Sequence, residues 1–287
     1  MQKLTRNNLP SWWKEINADE HYLVLSNDAD SLLSCNYLQE KFKGLEIGAF
    51  FNFELLAENK EITEGRTGIY VDIDTCKGMC FGNHPTIVNN PMAINLNKGI
   101  HESNYHEKYA GSVYMMLLSL YEEDLSKYND EQLRFMLSID SAQKGFYIPK
   151  FKRHWNNWFI DVMQLKELKH LVRDYSEVAF NKIKLKYYAN QEITLDDDFK
   201  LCTDIDIEGI NEDLGFNVNL PYTEFNHVSM RFENQKTRYD SLKARIEEGT
   251  MSNIFSNART YEYVVKYSKV MTERDLQRDK YQKLFQK

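Results

Sequence analysis

Leu23 to Cys35 reads LVLSNDADSLLSC: an apolar run of strand formers, two carboxylates one residue apart, then a stretch with helical spacing. The strand reaches back to His21 as HYLVLS, and Leu32, Leu33, Tyr37 and Leu38 share one helical face through Lys41. Asp28 and Asp30 therefore sit at a strand-to-helix junction. Either acid serves there as an N-cap for the first free amides of the helix, or the pair anchors a metal ion. Taken alone, the stretch leaves both readings open.

The same order of elements continues outward from this junction. LEIGAFFNF (Leu45–Phe53) predicts a second strand, TGIYVDI (Thr67–Ile73) a third and Ala93–Leu96 a fourth. HEKYAGSVYMMLLSLY (His106–Tyr121) predicts a buried helix and Glu131–Ile139 another. Strands separated by helices predict an α/β fold, a parallel sheet with helices on both faces. From Ile148 to Lys186 the pattern is charged and helical. Asp196–Asp198 marks a linker, and Phe199–Val218 mixes short strands and turns. Arg231–Glu248 predicts a polar amphipathic helix stopped by Gly249, and YEYVVKY (Tyr261–Tyr267) a strand. The expected division is a larger α/β domain over residues 1–147, a helical connector over 148–190 and a smaller α+β domain over 191–287.

Composition narrows the function classes. A chain of 287 residues with 42% hydrophobic and 28% charged residues is globular rather than disordered or fibrous. No apolar run approaches the ~20 residues of a membrane span. The start, MQKLTRNNLPSWWKE, lacks the apolar segment of a signal peptide, so a cytoplasmic protein without membrane contact is expected. Cys35, Cys76, Cys80 and Cys202 read as reduced thiols. Cys76, Cys80 and His84 recur every fourth residue, a zinc alternative that lacks an evident fourth ligand.

The net charge of −7 argues against a protein that coats long nucleic acid. Lys144 to Lys186 nevertheless holds ten Lys/Arg against four acids, so the rest of the chain carries −13. Within it, KGFYIPKFKRHWNNWF sets Lys144, Lys150, Lys152, Arg153 and His154 among Phe146, Tyr147, Trp155 and Trp158. Exposed aromatics between basic residues suit a single strand of stacked bases. The same pattern also describes core aromatics beneath a solvated charged face.

More acids join Asp28 and Asp30 at element ends. Asp72, with Asp74 two residues on, closes the third strand, Asp140 follows RFMLSI, and His84 stands in FGNHP. In open parallel sheets, ligands gather at the carboxyl ends of strands. Oxygen donors with an imidazole suit manganese or magnesium, one or two ions, able to clamp a phosphate and acidify a water. Each residue alone has a plainer role as a cap, a strand end or a turn opener.

Together these residues resemble the DHH phosphoesterase superfamily, which includes RecJ exonucleases, oligoribonucleases, cyclic-dinucleotide phosphodiesterases and family II pyrophosphatases. Asp28-Ala29-Asp30-Ser31 matches the first motif, approximately D-x-D-G in RecJ-like members, with serine in the glycine place. Asp72 in IYVDID matches the strand-ending aspartate of the second. Asn83-His84-Pro85 in CFGNHPTIVNNPMAINLN matches the third, with Asn90-Pro91 resembling its trailing asparagine-proline. Asp140 in FMLSIDSAQKGF matches the fourth, and EKYAGSVYMMLLSLY resembles the helix between the last two. The resemblance covers about residues 20–150.

It implies a metal-dependent phosphoesterase that hydrolyses phosphodiester bonds in nucleotides, short oligonucleotides or single-stranded DNA ends. Asp28, Asp30, Asp72, His84 and Asp140 would be the metal-holding and catalytic residues. A C-terminal substrate-binding domain is implied as well, with Arg231 and Arg259 as candidate phosphate contacts beside Lys152 and Arg153 of the basic stretch. The departures are specific. Ser26 stands where some members have a histidine, the Asp-His-His triplet retains only His84, and the gap from Asp72 to His84 is short. They keep a second expectation open: a degraded, non-catalytic relative that binds nucleotide, nucleic acid or a protein partner.

Overall fold

The computed structural model describes residues 1–276, so residues 277–287 of the expected C-terminal domain lie outside the described residues. Its first strand, β1 (His21–Leu25), is buried along its whole length because it is central to the sheet. β2 (Ile47–Phe51) and β4 (Thr67–Val71) flank it in parallel. Two short strands, β5 (Cys80–Phe81) and β6 (Ala93–Ile94), continue the parallel set beyond β4. On the other side β3 (Leu55–Glu58) runs antiparallel to β2. The sheet then recruits the C-terminal strands β9 (His227–Arg238), β11 (Val264–Val270) and β10 (Ile254–Tyr261).

The full order is β10-β11-β9-β3-β2-β1-β4-β5-β6, a nine-stranded mixed sheet. A separate hairpin is formed by β7 (Ile193–Leu195) and β8 (Leu201–Thr203). β9 links the two parts of the large sheet, its first half pairing with β3 and its second half with β11. The outer edge of β10 meets the chain just beyond β4. Asn257 N–H donates to Asp74 O at 3.0 Å, Cys76 N–H to Phe255 O at 2.7 Å and Arg259 N–H to Pro85 O at 2.9 Å. These bonds curl the sheet so that its C-terminal strands return to the loops after β4.

Side chains alternate across β1 and β4, and the two faces are covered differently. Leu23, Leu25, Ile69 and Val71 pack with Leu32 and Leu33 of the Ala29–Lys41 helix, with the Val113–Leu120 helix and with Phe135 of the Asp130–Ser138 helix. The opposite face carries Tyr22, Val24, Ala49 and Phe51, met by Phe232, Phe255 and Ile62. Phe51, Phe232 and Phe255 hold ring centroids 4.7–5.2 Å apart. The layer expected to be helical on both faces is thus strand-covered on this one, apart from the single turn Lys60–Thr63 that carries Ile62. Pairing of β1 with β2 skips Gly48, where a Cβ would come within 2.8 Å of Ile62 and 2.9 Å of Tyr22. Glycine lets that covering turn approach.

Several expected elements differ. The helix expected over Arg231–Glu248 is strand to Arg238 and helix only from Tyr239 to Glu247. Val228, Met230 and Phe232 alternate with Ser229, Arg231 and Glu233, a period of two that tertiary pairing with β3 and β11 rewards. The strand expected over Tyr261–Tyr267 straddles the turn between β10 and β11. The long helix expected over His106–Tyr121 is α-helical only from Val113, capped by the Ser112 hydroxyl. The charged region after Ile148 breaks into the Pro149–Trp155, Leu168–Asp174 and Glu177–Lys186 helices, with a π-helical stretch over Asn156–Val162. No helix among the described residues is long and apolar enough to cross a membrane.

Candidate metal centre

The strand-to-helix junction is held by side chains in two ways. Asp28 is extended (φ −141°, ψ 175°) and its Oδ1 accepts the Ser31 N–H at 3.0 Å, an N-cap of the Ala29–Lys41 helix. Asp30, 1% exposed, reaches across to the next helix instead. Its Oδ2 accepts Val113 N–H at 2.6 Å and its Oδ1 accepts Tyr114 N–H at 2.8 Å. A carboxylate at a helix N-terminus satisfies free amides and meets the positive end of the helix dipole. Ser31 Oγ donates to Val71 O and accepts from Ser26 N–H, both at 2.8 Å, tying the ends of β1 and β4 to the helix start. Ser31 is therefore part of the scaffold.

Asp72 leaves β4 with φ +58° and Asp140 leaves the Asp130–Ser138 helix with φ +54°. Left-handed backbone is uncommon outside glycine and concentrates where a side chain must be aimed. The two turns bring Asp72 and Asp140 to Asp30, with one carboxylate oxygen of each within 4.8 Å of the others. Asp28 stands beside this group. Burial, then the Asp140 charge, pushes its carboxyl up to about 6, while the Ser31 amide and Asp72 oppose the shift. Burial, then the charges of Asp140 and Asp28, holds Asp30 well above the usual carboxylate range. Asp72 is raised likewise, by burial and then by Asp28, Asp30 and Asp140. Crowded carboxylates resist ionisation together unless a cation joins them.

His84 is outside this group of three. Its Nδ1 lies 3.0 Å from Asp74 Oδ2, which also accepts the His84 N–H at 3.3 Å. Asn95 donates to Asp74 Oδ1 and to His84 O, each at 2.8 Å. A Cβ on Gly82 would fall 2.0 Å from Asp74 Oδ1, so glycine is what admits that carboxylate. Asn83, by contrast, belongs to the acid group. Its Nδ2 donates to Asp140 Oδ2 at 2.9 Å and to Gly111 O at 3.2 Å. Asn97 fixes the Asn83 and Tyr109 carbonyls at 2.6 and 2.9 Å.

The expected substrate contacts are dispersed. Lys152 and Arg153 are exposed on the Pro149–Trp155 helix and Arg231 is exposed on β9. Arg259 is 1% exposed, its guanidinium between the rings of Tyr105 and Tyr239 and its Nε donating to Glu262 O at 2.7 Å. That cation is engaged within the fold. The aromatics of the basic stretch also turn inward. Trp155 is buried and donates to Ala142 O at 3.0 Å, and Trp158 donates to Glu107 O at 2.6 Å. They are core and anchor residues, not a stacking platform. Cys76 and Cys80 are buried beside the Asn257 and Asn90 amides, and no metal-compatible group joins them with His84 among the described residues.

Residues not singled out in the sequence also shape the centre. Asn95 and Asn97 brace the loop after β5, Gln143 is fully buried three residues past Asp140, and Lys184 lowers the Asp28 carboxyl. The spacing Asn95-x-Asn97 after β6 was the available signal for the first two. Lys184 lies too far along the chain for any local pattern to reveal it. A second three-residue group, His106, Glu107 and His154, lies at the surface. Neither a protein-family model, nor a curated protein, nor a solved structure matches the chain.

Proposed function

We propose that this chain is a metal-dependent phosphoesterase of the DHH kind, acting on phosphodiester bonds of nucleotides, short oligonucleotides or single-stranded DNA ends. The observation that carries the reading is the convergence of Asp30, Asp72 and Asp140, from three separated segments, within 4.8 Å at the carboxyl ends of β1 and β4. The donor set fits a divalent cation such as manganese or magnesium: every donor is a carboxylate oxygen, and Asp72 Oδ1 is buried without a hydrogen-bond partner. Bound there, the cation would stabilise charge on a phosphoryl group and acidify a water.

The chain's own residues have separable tasks in this reading. Asp72 and Asp140 present their carboxylates from left-handed turns. Asp30 contributes while its carboxylate also holds the Val113 helix in place. Asp28 tightens the Ala29 turn and adds negative charge at the edge. The Asp74–His84 pair orients an imidazole whose side chain is 36% exposed, a proton donor or acceptor positioned one residue from Asn83.

A specific observation also favours the non-catalytic alternative. With Asn83 and His84 in the two histidine places of the third motif, Gly82 stands where its aspartate would be and no imidazole joins the acids. Turnover separates the two. The protein is incubated with manganese or magnesium and single-stranded DNA, dinucleotides, cyclic dinucleotides and pyrophosphate, beside Asp72→Asn. The enzyme reading expects cleavage of a phosphodiester that disappears in the variant. Cleavage of none of the panel would sink it, and cleavage surviving in Asp72→Asn would remove it from this site.

A further inference from the structure

We infer that His106, Glu107 and His154 form a second metal site, an exchangeable one for a borderline transition cation such as zinc. It is separate from the acid group and independent of the phosphoesterase reading. One ligand atom from each of the three residues lies within 4.8 Å of the others. They come from two separated segments: the turn Glu102–Glu107 supplies the first two and the Pro149–Trp155 helix the third. The imidazole rings stand edge to face with centroids 5.2 Å apart, and His106 Nε2 is 3.9 Å from Glu107 Oε1. Among the described residues, neither ring has a hydrogen-bond partner that would compete for its nitrogens.

The two segments are held together by residues around the cluster rather than by the three side chains themselves. Trp158, a turn beyond His154, donates its Nε1–H to Glu107 O at 2.6 Å. The Tyr109 ring, just past Glu107, meets the rings of Trp158 and Phe159 at 6.0 and 5.6 Å. Just before His106, Tyr105 OH donates to Arg259 O at 3.1 Å. The backbone beside the cluster is thus fixed, and closing on an ion takes only side-chain rotation. A tetrahedral zinc ion with bonds of about 2.0 Å holds its ligand atoms roughly 3.3 Å apart. The 3.9 Å pair therefore closes by a fraction of an ångström. The side chains of His106 and Glu107 are half exposed, which gives them that freedom and gives an ion a path from solvent.

Donor chemistry sets the class of ion. Two imidazole nitrogens with one carboxylate oxygen suit zinc, nickel or copper, whereas magnesium and calcium take oxygen shells. The acid group offers only carboxylates, so the two sites sort different ions. Three protein ligands leave the fourth position of zinc to water or another exchangeable donor, unlike the closed four-ligand set of a structural site. Of the cations on the His154 helix, Lys150 and Lys152 hold their ammonium groups over the rings of Phe151 and Phe146, and Arg153 is exposed to solvent. A bound ion ties the turn to the helix, and it does so only in the folded chain.

The test is calorimetric titration of chelator-stripped protein with zinc chloride in excess magnesium chloride, for wild type, His106→Ala, His154→Ala and Asp72→Asn. NMR follows the histidine rings of the wild type, and thermal unfolding in chelator confirms that each variant folds. Wild type and Asp72→Asn are expected to bind one equivalent of zinc with the same affinity, the His106 and His154 ring resonances shifting together. Either His variant is expected to bind it about tenfold or more weakly. Zinc should also raise the melting temperature of wild type by more than that of His154→Ala. No zinc binding by wild type, unchanged affinity in either His variant, or two rings unmoved at one equivalent overturns the inference. The ring resonances decide it if a variant does not fold. Zinc binding lost in Asp72→Asn but kept in both His variants places the ion at the acid group; that defeats this site and leaves the phosphoesterase reading standing.

Discussion

Replacing Asp28 with asparagine removes a charge from a crowded centre while keeping the helix cap, because asparagine accepts the Ser31 N–H about as well as aspartate. In the folded protein burial and the Asp140 charge push the Asp28 carboxyl from its ordinary 3.8 up to about 6. As pH rises, the unfolded chain loses this proton first, and folding is penalised from there upward. Below 3.8 both states hold the proton and the penalty vanishes. The stability that the protonated form contributes is thus complete in acid and gone once pH exceeds about 6. The gap corresponds to about 3 kcal/mol for metal-free protein near pH 7.5. Asp28→Asn escapes this cost, so it stabilises the chelated protein near neutrality by as much as about 3 kcal/mol, at roughly 2–4 °C of Tm per kcal/mol. Urea unfolding of wild type and variant in chelator, at about pH 7.5 and about pH 3.5, reads the difference directly. The gain is expected at the higher pH and absent at the lower, and saturating magnesium should shrink it by stabilising the ionised wild type. A variant that is destabilised near neutrality, or that gains equally at both pH values, refutes the reasoning.

Other substitutions separate scaffold from chemistry. Asp30→Ala strands the buried Val113 and Tyr114 amides and is expected to cost about 2–5 kcal/mol in denaturant unfolding, even without metal; a loss under about 1 kcal/mol contradicts the capping role. Gly82→Ala drives a methyl group against Asp74, so the His84 ring resonances shift in NMR and stability falls by about 1–3 kcal/mol. Unperturbed His84 resonances would contradict the proximity of Gly82 and Asp74. Arg259→Met keeps an apolar stem between Tyr105 and Tyr239 but loses the cation and its bonds to Glu262. Unfolding is expected to show about 1–2 kcal/mol of lost stability with phosphodiester turnover retained. Turnover lost at full stability would assign Arg259 to substrate.

The N-terminal half was legible because its signals are local. HYLVLS and TGIYVDI are apolar runs long enough to declare central strands, and Ser31–Lys41 has a helical face. The acids at their ends followed from the rule that polar residues interrupting such runs mark element boundaries. β9 was misread because a polar strand and a polar helix differ only in period. Its period-two apolar residues, Val228, Met230 and Phe232, are few, and the strand is stabilised by β3 and β11, which no local window contains. The aromatic stretch around Trp155 failed as a stacking surface for a similar reason. Whether an indole faces solvent depends on acceptors such as Ala142 O and Glu107 O that the fold delivers.

By itself the sequence determined the strand-to-helix junction at Asp28 and Asp30 and the positions of Asp72 and Asp140 at element ends. Tertiary structure alone decided what each acid does. Asp30 became a cap for a distant helix, Asp28 a cap for its own, and left-handed turns brought the carboxylates of Asp72 and the exposed Asp140 near Asp30. It also decided that His84 pairs with Asp74 while Asn83 turns to the acids. The physical reason is that a carboxylate's role depends on which donors and charges lie within a few ångströms of it. Those neighbours come from segments dozens of residues apart, brought together only when the sheet forms.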